Sequence, residues 1–165
     1  MVIQETLIEK QGESMPSLNH SYTCTQILRQ LLQQPSFFPM TELTLDIGNG
    51  LTPDIAVYPF DAIHPNFFRD IPRFPHMPIL AIEVVSANQN IQDLLEKAAQ
   101  MIQAGIKTVW TVEPFSRSIF VTTAQGDRLS HEQRVEVESE GVVVDFQQVF
   151  QSVQLEKLEN CCEQR

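Results

Sequence analysis

The sequence predicts an α/β (α+β) domain, and three observations carry the prediction. Pro78 to Pro114 reads as strand, helix, strand. Ahead of it, two β-patterned runs flank an Asn-Gly turn. From Arg117 onward, short β runs alternate with turn residues in the manner of a meander.

Taken in order, residues 1–15 are polar and mixed, a flexible lead-in. Cys24, Ile27, Leu28, Leu31 and Leu32 then recur at helical spacing after Asn19-His20-Ser21, residues of capping type, and predict a first helix that Pro35 ends. Glu42 to Asp46 and Asp54 to Tyr58 predict two strands joined by a hairpin at Gly48-Asn49-Gly50, because Asn-Gly favours the positive φ of tight hairpins. Pro53 sits at the entry of the second strand, where a missing N–H does least harm. Between Pro59 and Pro78, further prolines interleave with Phe60, Phe67, Phe68 and Phe74. A stiffened loop of that length inside a compact domain is more often functional than incidental.

Ile79 to Val85 is a nearly unbroken apolar run, the pattern of a strand buried on both faces, and Glu83 interrupts it. A carboxylate there must be paired, protonated or bound to something. By alternation Ile79, Ala81, Glu83 and Val85 share one face, and Leu80, Ile82 and Val84 the other. Ile91, Leu94, Leu95, Ala98, Met101 and Ile102 mark an amphipathic helix, with Gly105 as its stop. Lys97 lies beside Met101 at the border of the apolar stripe and can lean toward the sheet. Asp93, four residues earlier, is its candidate partner along the helix. Arg117–Thr123, a turn at Gln125-Gly126-Asp127, Arg134–Glu138 and Val142–Val144 predict an antiparallel meander extending the sheet, with Trp110 in the core. Asp145 caps a last helix whose stripe is Phe146, Val149, Phe150 and Val153. One domain over 16–158, followed by a loose tail at 159–165, accounts for the chain.

With 11 Lys plus Arg against 21 Asp plus Glu, the net charge is −10. Such a surface repels nucleic acid at long range, so any DNA contact needs a local basic patch, a bound metal or a partner subunit; Arg69 and Arg73 in the Pro-rich loop are the candidate contacts. No signal peptide or membrane-spanning run is evident, which predicts a soluble, cytoplasmic protein. Cys24, Cys161 and Cys162 have neither disulfide-framework nor zinc spacing and suit a reducing compartment. His20, His64 and His76 are scattered without zinc spacing either.

A magnesium site takes hard oxygen ligands, commonly one or two carboxylates with waters at about 2.0–2.1 Å. Asp54 and Glu83 supply two if their strands pair side by side, and the Lys97 ammonium can orient a nucleophile or neutralise developing charge. This is the donor set of phosphodiester hydrolysis. Pro53-Asp54, Ile82-Glu83-Val84-Val85-Ser86, Asp93-x-x-x-Lys97, Gly105-Ile106 and Trp110-Thr111-Val112-Glu113-Pro114 together resemble the Uma-two family of restriction-endonuclease-like proteins. That family belongs to the PD-(D/E)xK nuclease superfamily. The resemblance, over roughly residues 15 to 125, implies a restriction-endonuclease-like mixed β-sheet flanked by helices. It also implies Asp54 and Glu83 as metal-binding acids for Mg2+ or Mn2+, and DNA as the substrate. The superfamily lysine stands two residues after the glutamate, where this chain has Val85; the resemblance transfers its role to Lys97. Glu42 is a further acid near the site. Met101 and Val109 replace usual tyrosines, Ala87 a usual proline and Glu113 a usual aspartate, none of them a proposed ligand. The function expected is metal-dependent DNA cleavage, with a homodimer compatible. The competing class is a catalytically silent binding or assembly module, which the acidic surface favours.

Overall fold

The computed structural model describes residues 15–151. Residues 1–14 of the lead-in, the tail, Val153, Cys161 and Cys162 lie outside the described residues. A six-stranded sheet runs in chain order, β1 (Phe37–Thr41), β2 (Ile55–Pro59), β3 (Leu80–Val84), β4 (Thr108–Glu113), β5 (Ser118–Thr123) and β6 (Gly126–Ser130). Only β3 and β4 pair in parallel; the remaining neighbours are antiparallel, so the sheet is mixed. The single parallel pair exists because α2 (Ile91–Gln103) crosses over between its strands.

α2 begins and ends where its sequence says it should. Asn90 accepts the Gln92 N–H at 2.9 Å as N-cap. At the other end, Gly105 adopts φ +107. The N–H of Ile106 then reaches Met101 O at 3.1 Å and that of Gly105 reaches Ile102 O at 3.0 Å, the pair of bonds of a Schellman motif. This turns the chain directly into β4.

Two cores follow from the alternation in β3. Leu80, Ile82 and Val84 join Trp110, Val112 and Ile119 in a core closed by α1 (Leu18–Leu31), the hairpin of β7 (Arg134–Val137) and β8 (Val142–Asp145), and α3 (Phe146–Val149). Trp110 is fully buried and meets Phe146 edge to face at 5.9 Å. Ala81 and Val109 face the opposite way, against Ala98 and Met101 of α2, with Leu45 and Ile106.

Three expectations from sequence are corrected. The first helix starts earlier, with Ser17 as N-cap accepting the His20 N–H at 3.3 Å, so Asn19, His20 and Ser21 are helical. The strand expected at Glu42–Asp46 lies instead at Phe37–Thr41, where an edge position tolerates Pro39. The Gly48-Asn49-Gly50 turn closes only an excursion, bridged Leu45 to Leu51. Finally, β7 and β8 form their own two-stranded sheet, and the meander extends the main sheet only through β5 and β6.

That hairpin is joined to α1 by two side chains imitating a strand. Gln30 takes the Asp145 N–H on Oε1 at 2.8 Å and gives Nε2–H to Asp145 O at 2.9 Å. Gln34, one turn on, treats Val143 likewise at 3.1 and 2.7 Å. The edge of β8 is thereby covered. Gln34→Ala, which leaves both Val143 backbone groups without these partners, is expected to lower unfolding free energy by about 1–3 kcal/mol, read from urea midpoints at unchanged slope.

Candidate active site

Asp54 and Glu83 meet through strand register. Ile55 stands opposite Ile82 across the antiparallel β2 and β3, so one step further along the same register sets Asp54 opposite Glu83, both on the face of Ala81. The ladder ends there because Asp54 Oδ2 accepts the Val84 N–H at 2.7 Å. Asp54 therefore terminates the pairing and faces the site at once.

Glu83 is 4% exposed. Burial pushes its carboxyl up to about 7; Lys97 works against that rise and Asp54 adds to it. Lys97 reaches across from α2 to place Nζ 2.6 Å from Glu83 Oε1, and donates to Thr52 O at 2.9 Å. The contact with Glu83 is a close charge pair. Lys97 answers Glu83 Oε1, while Thr111 Oγ1, the register neighbour of Glu83 on β4, has no hydrogen-bond partner among the described residues. Two buried oxygens with unused acceptor capacity, opposite a second carboxylate, fit a hard divalent cation with its waters. Asp93 stays on the exposed first turn of α2, and Lys97 turns to Glu83 instead.

The other wall comes from α1, on the opposite face of the sheet. Buried Ser86, just past β3, accepts the Ser17 N–H and donates to Met15 O, each at 3.3 Å, which fixes the start of α1 beside the strand ends. His20 Nε2 then lies 3.2 Å from Asp54 Oδ2. The hydrogen bond to Asp54 raises the imidazole pKa, burial opposing it. Cys24, one turn on, has Sγ 4.0 Å from the ring; burial, then Asp54 and Glu83, push its thiol up to about 12. Spacing alone had set His20 and Cys24 aside. The available signal was that they stand four apart on one helix, hence on one face.

Glu42 follows β1 rather than standing in a strand. Its φ is +52, its N–H bonds Asp54 O at 3.2 Å, and its charge raises both His20 and Cys24. Arg69 and Arg73 are exposed on the Pro-rich loop, and Arg73 lies over Gly50. A cavity of about 680 Å³ sits elsewhere, between Arg117, His131 and Phe150; it contains none of Asp54, Glu83 or Lys97.

A mixed six-stranded sheet with helices on both faces and two acids opposed at the end of its second and third strands is a nuclease-type α+β domain. The chain belongs to the Uma2 family, described as "Putative restriction endonuclease", which matches residues 2–157. Among solved structures it is similar to "a putative nuclease belonging to DUF820" from Anabaena variabilis, at TM-score 0.70 and 21% identity over 83% of each chain. A DrdV–DNA complex aligns with 66% of this chain and 12% of its own at TM-score 0.38 and 9% identity. No curated protein matches the chain. Neither structural match speaks for a homodimer. No helix among the described residues is long and apolar enough to cross a membrane.

Because the folded Glu83 pKa lies above its ordinary 4.5, the stability tied to its protonated form is fully present below about pH 4.5 and lost as pH rises through about 7. In EDTA, the melting temperature of the wild type relative to Glu83→Gln is expected to fall across that window, measured by circular dichroism. A flat difference would mean that Glu83 is not a buried ionisable acid.

Proposed function

We propose that this chain is a metal-dependent endonuclease that hydrolyses DNA phosphodiester bonds, Asp54 and Glu83 holding Mg2+ or Mn2+ and Lys97 acting beside them. The observation that carries the reading is the Lys97 ammonium 2.6 Å from a 4% exposed glutamate that stands opposite Asp54. Such an ion supplies Lewis-acid polarisation of the phosphoryl group and a more acidic bound water. The chain's own contribution is positional. Register sets the spacing of the two carboxylates. α2 holds Lys97 so that one N–H is spent on Thr52 O and the rest of the ammonium is available to orient the attacking water or to balance charge on a non-bridging oxygen. The free thiol of Cys24 suits the reducing cytoplasm as the place of work.

Plasmid DNA with Mg2+ or Mn2+ tests this. The wild type is expected to nick it, and Glu83→Ala to lose both cleavage and calorimetric Mn2+ binding. Lys97→Met should keep Mn2+ binding, since the ion replaces the missing positive charge, while cleavage falls about 10²–10³-fold. Equal Mn2+ affinity and stoichiometry in wild type and Glu83→Ala would sink the metal assignment. The net charge of −10 favours a second reading, a silent binding module. Mn2+ binding without cleavage of any DNA offered would select it.

DNA must be gripped locally against that charge, and Arg69 with Arg73 is the basic pair we assign to the task. Arg69→Ala with Arg73→Ala is expected to weaken DNA binding and shallow its salt dependence by about 1–2 in log–log slope. Unchanged affinity and slope would remove the loop from the DNA interface.

A further inference from the structure

We propose that His20, Cys24 and Asp54 form a site for a borderline transition-metal ion of the Zn2+, Co2+ or Fe2+ kind, so that the Asp54 side of the centre is not built for Mg2+ alone. It rests on the nuclease reading in taking Asp54 as a metal ligand. One ligand atom from each of the three residues lies within 4.8 Å of the others. Two ligands at about 2.0–2.1 Å from a common ion stand roughly 2.9–3.4 Å apart in octahedral or tetrahedral arrangements. His20 Nε2 and Asp54 Oδ2 are 3.2 Å apart. For a tetrahedral ion the sulfur-to-nitrogen separation is about 3.5 Å; Cys24 Sγ is 4.0 Å from Nε2, so about half an ångström of closure brings that pair to ligand spacing, with Asp54 within 4.8 Å of both.

The chemistry separates this set from an all-oxygen one. An imidazole nitrogen and a thiolate are the softer donors that Zn2+, Co2+ and Fe2+ accept and Mg2+ declines. His20 and Cys24 come from successive turns of one helix whose start Ser86 holds in place, so their spacing is built into α1. All three residues are partly buried, open enough for an ion to enter and sheltered enough to hold it. Beside this set, the Glu83 carboxylate, opposite Asp54 and 4% exposed, has acceptor capacity that Lys97 alone does not fill. Charge points the same way. Asp54, Glu83 and Glu42 all act on His20, and among the described residues the one Lys that pairs with them is Lys97, leaving negative charge for a divalent ion to balance.

Co2+ is the probe, because thiolate ligation produces a sulfur-to-cobalt charge-transfer absorption that oxygen ligands lack. In the full chain carrying Cys161→Ser and Cys162→Ser, Co2+ is expected to produce this band at one equivalent. Zn2+ should abolish it, and a large excess of Mg2+ should not. Cys24→Ser should remove the band, and His20→Gln should weaken Co2+ at least about tenfold, since even outer-shell losses cost that much. Alkylation of Cys24, mapped by mass spectrometry in the wild type, should slow with Zn2+ and not with Mg2+; this needs no variant to fold. Absence of the band, its survival in Cys24→Ser, or alkylation indifferent to Zn2+ overturns the proposal. Mg2+-driven cleavage without the band would defeat this inference and leave the nuclease reading standing, and the band without metal-driven cleavage would do the reverse.

Discussion

The buried Glu83 carboxylate and the Lys97 ammonium that answers it are the constraint on which the rest is arranged. A charge in the middle of an apolar strand costs several kcal/mol unless it is opposed at close range. Opposition here comes from a different element, so α2 must pack over β3 in one register only. The Asn90 cap and the Gly105 exit hold that register, and the return of the chain as β4, parallel to β3, follows from it. Even so the pair is incompletely satisfied, with burial outweighing Lys97 and lifting the Glu83 pKa. A sheet that stabilised itself alone would carry valine at this position.

The site also brings the two faces of the sheet together. α1 and α2 pack on opposite faces, yet His20 and Lys97 converge on acids set opposite each other in register. They can do so because Asp54 lies beyond the last paired residue of β2, where the sheet no longer separates the layers. The clasp of Lys97 on Thr52 O and the bond from Glu42 to Asp54 O shape the loop that makes this possible.

Much of the fold was legible because periodicity is a local property. The alternation in β3, the apolar stripe of α2 and its glycine stop all sit within a few residues of one another, and the structure keeps each. What failed was pairing, which is not local. Phe37–Thr41 carries a proline that argues against a strand unless the strand is known to be an edge, and edge status is a property of the finished sheet. The separate hairpin of β7 and β8 was hidden for the same reason. At the site, Glu83 announced itself by being misplaced in an apolar run. His20 did not, since a histidine on an amphipathic helix looks like any other until a partner more than thirty residues away is folded against it.

The glutamine clasp sets an order on how the chain can be completed during synthesis. Gln30 and Gln34 bond residues 109 to 115 positions further along, so α1 emerges from the ribosome long before its dock exists. Until β8 has been made, the helix that carries His20 and Cys24 has only part of its seat, at Ser86 and against β1 and β3, while β2, β3 and α2 already have theirs. The carboxylates and the lysine can therefore be assembled before the α1 wall is fully seated, and that last fastening waits until nearly the whole domain has left the tunnel.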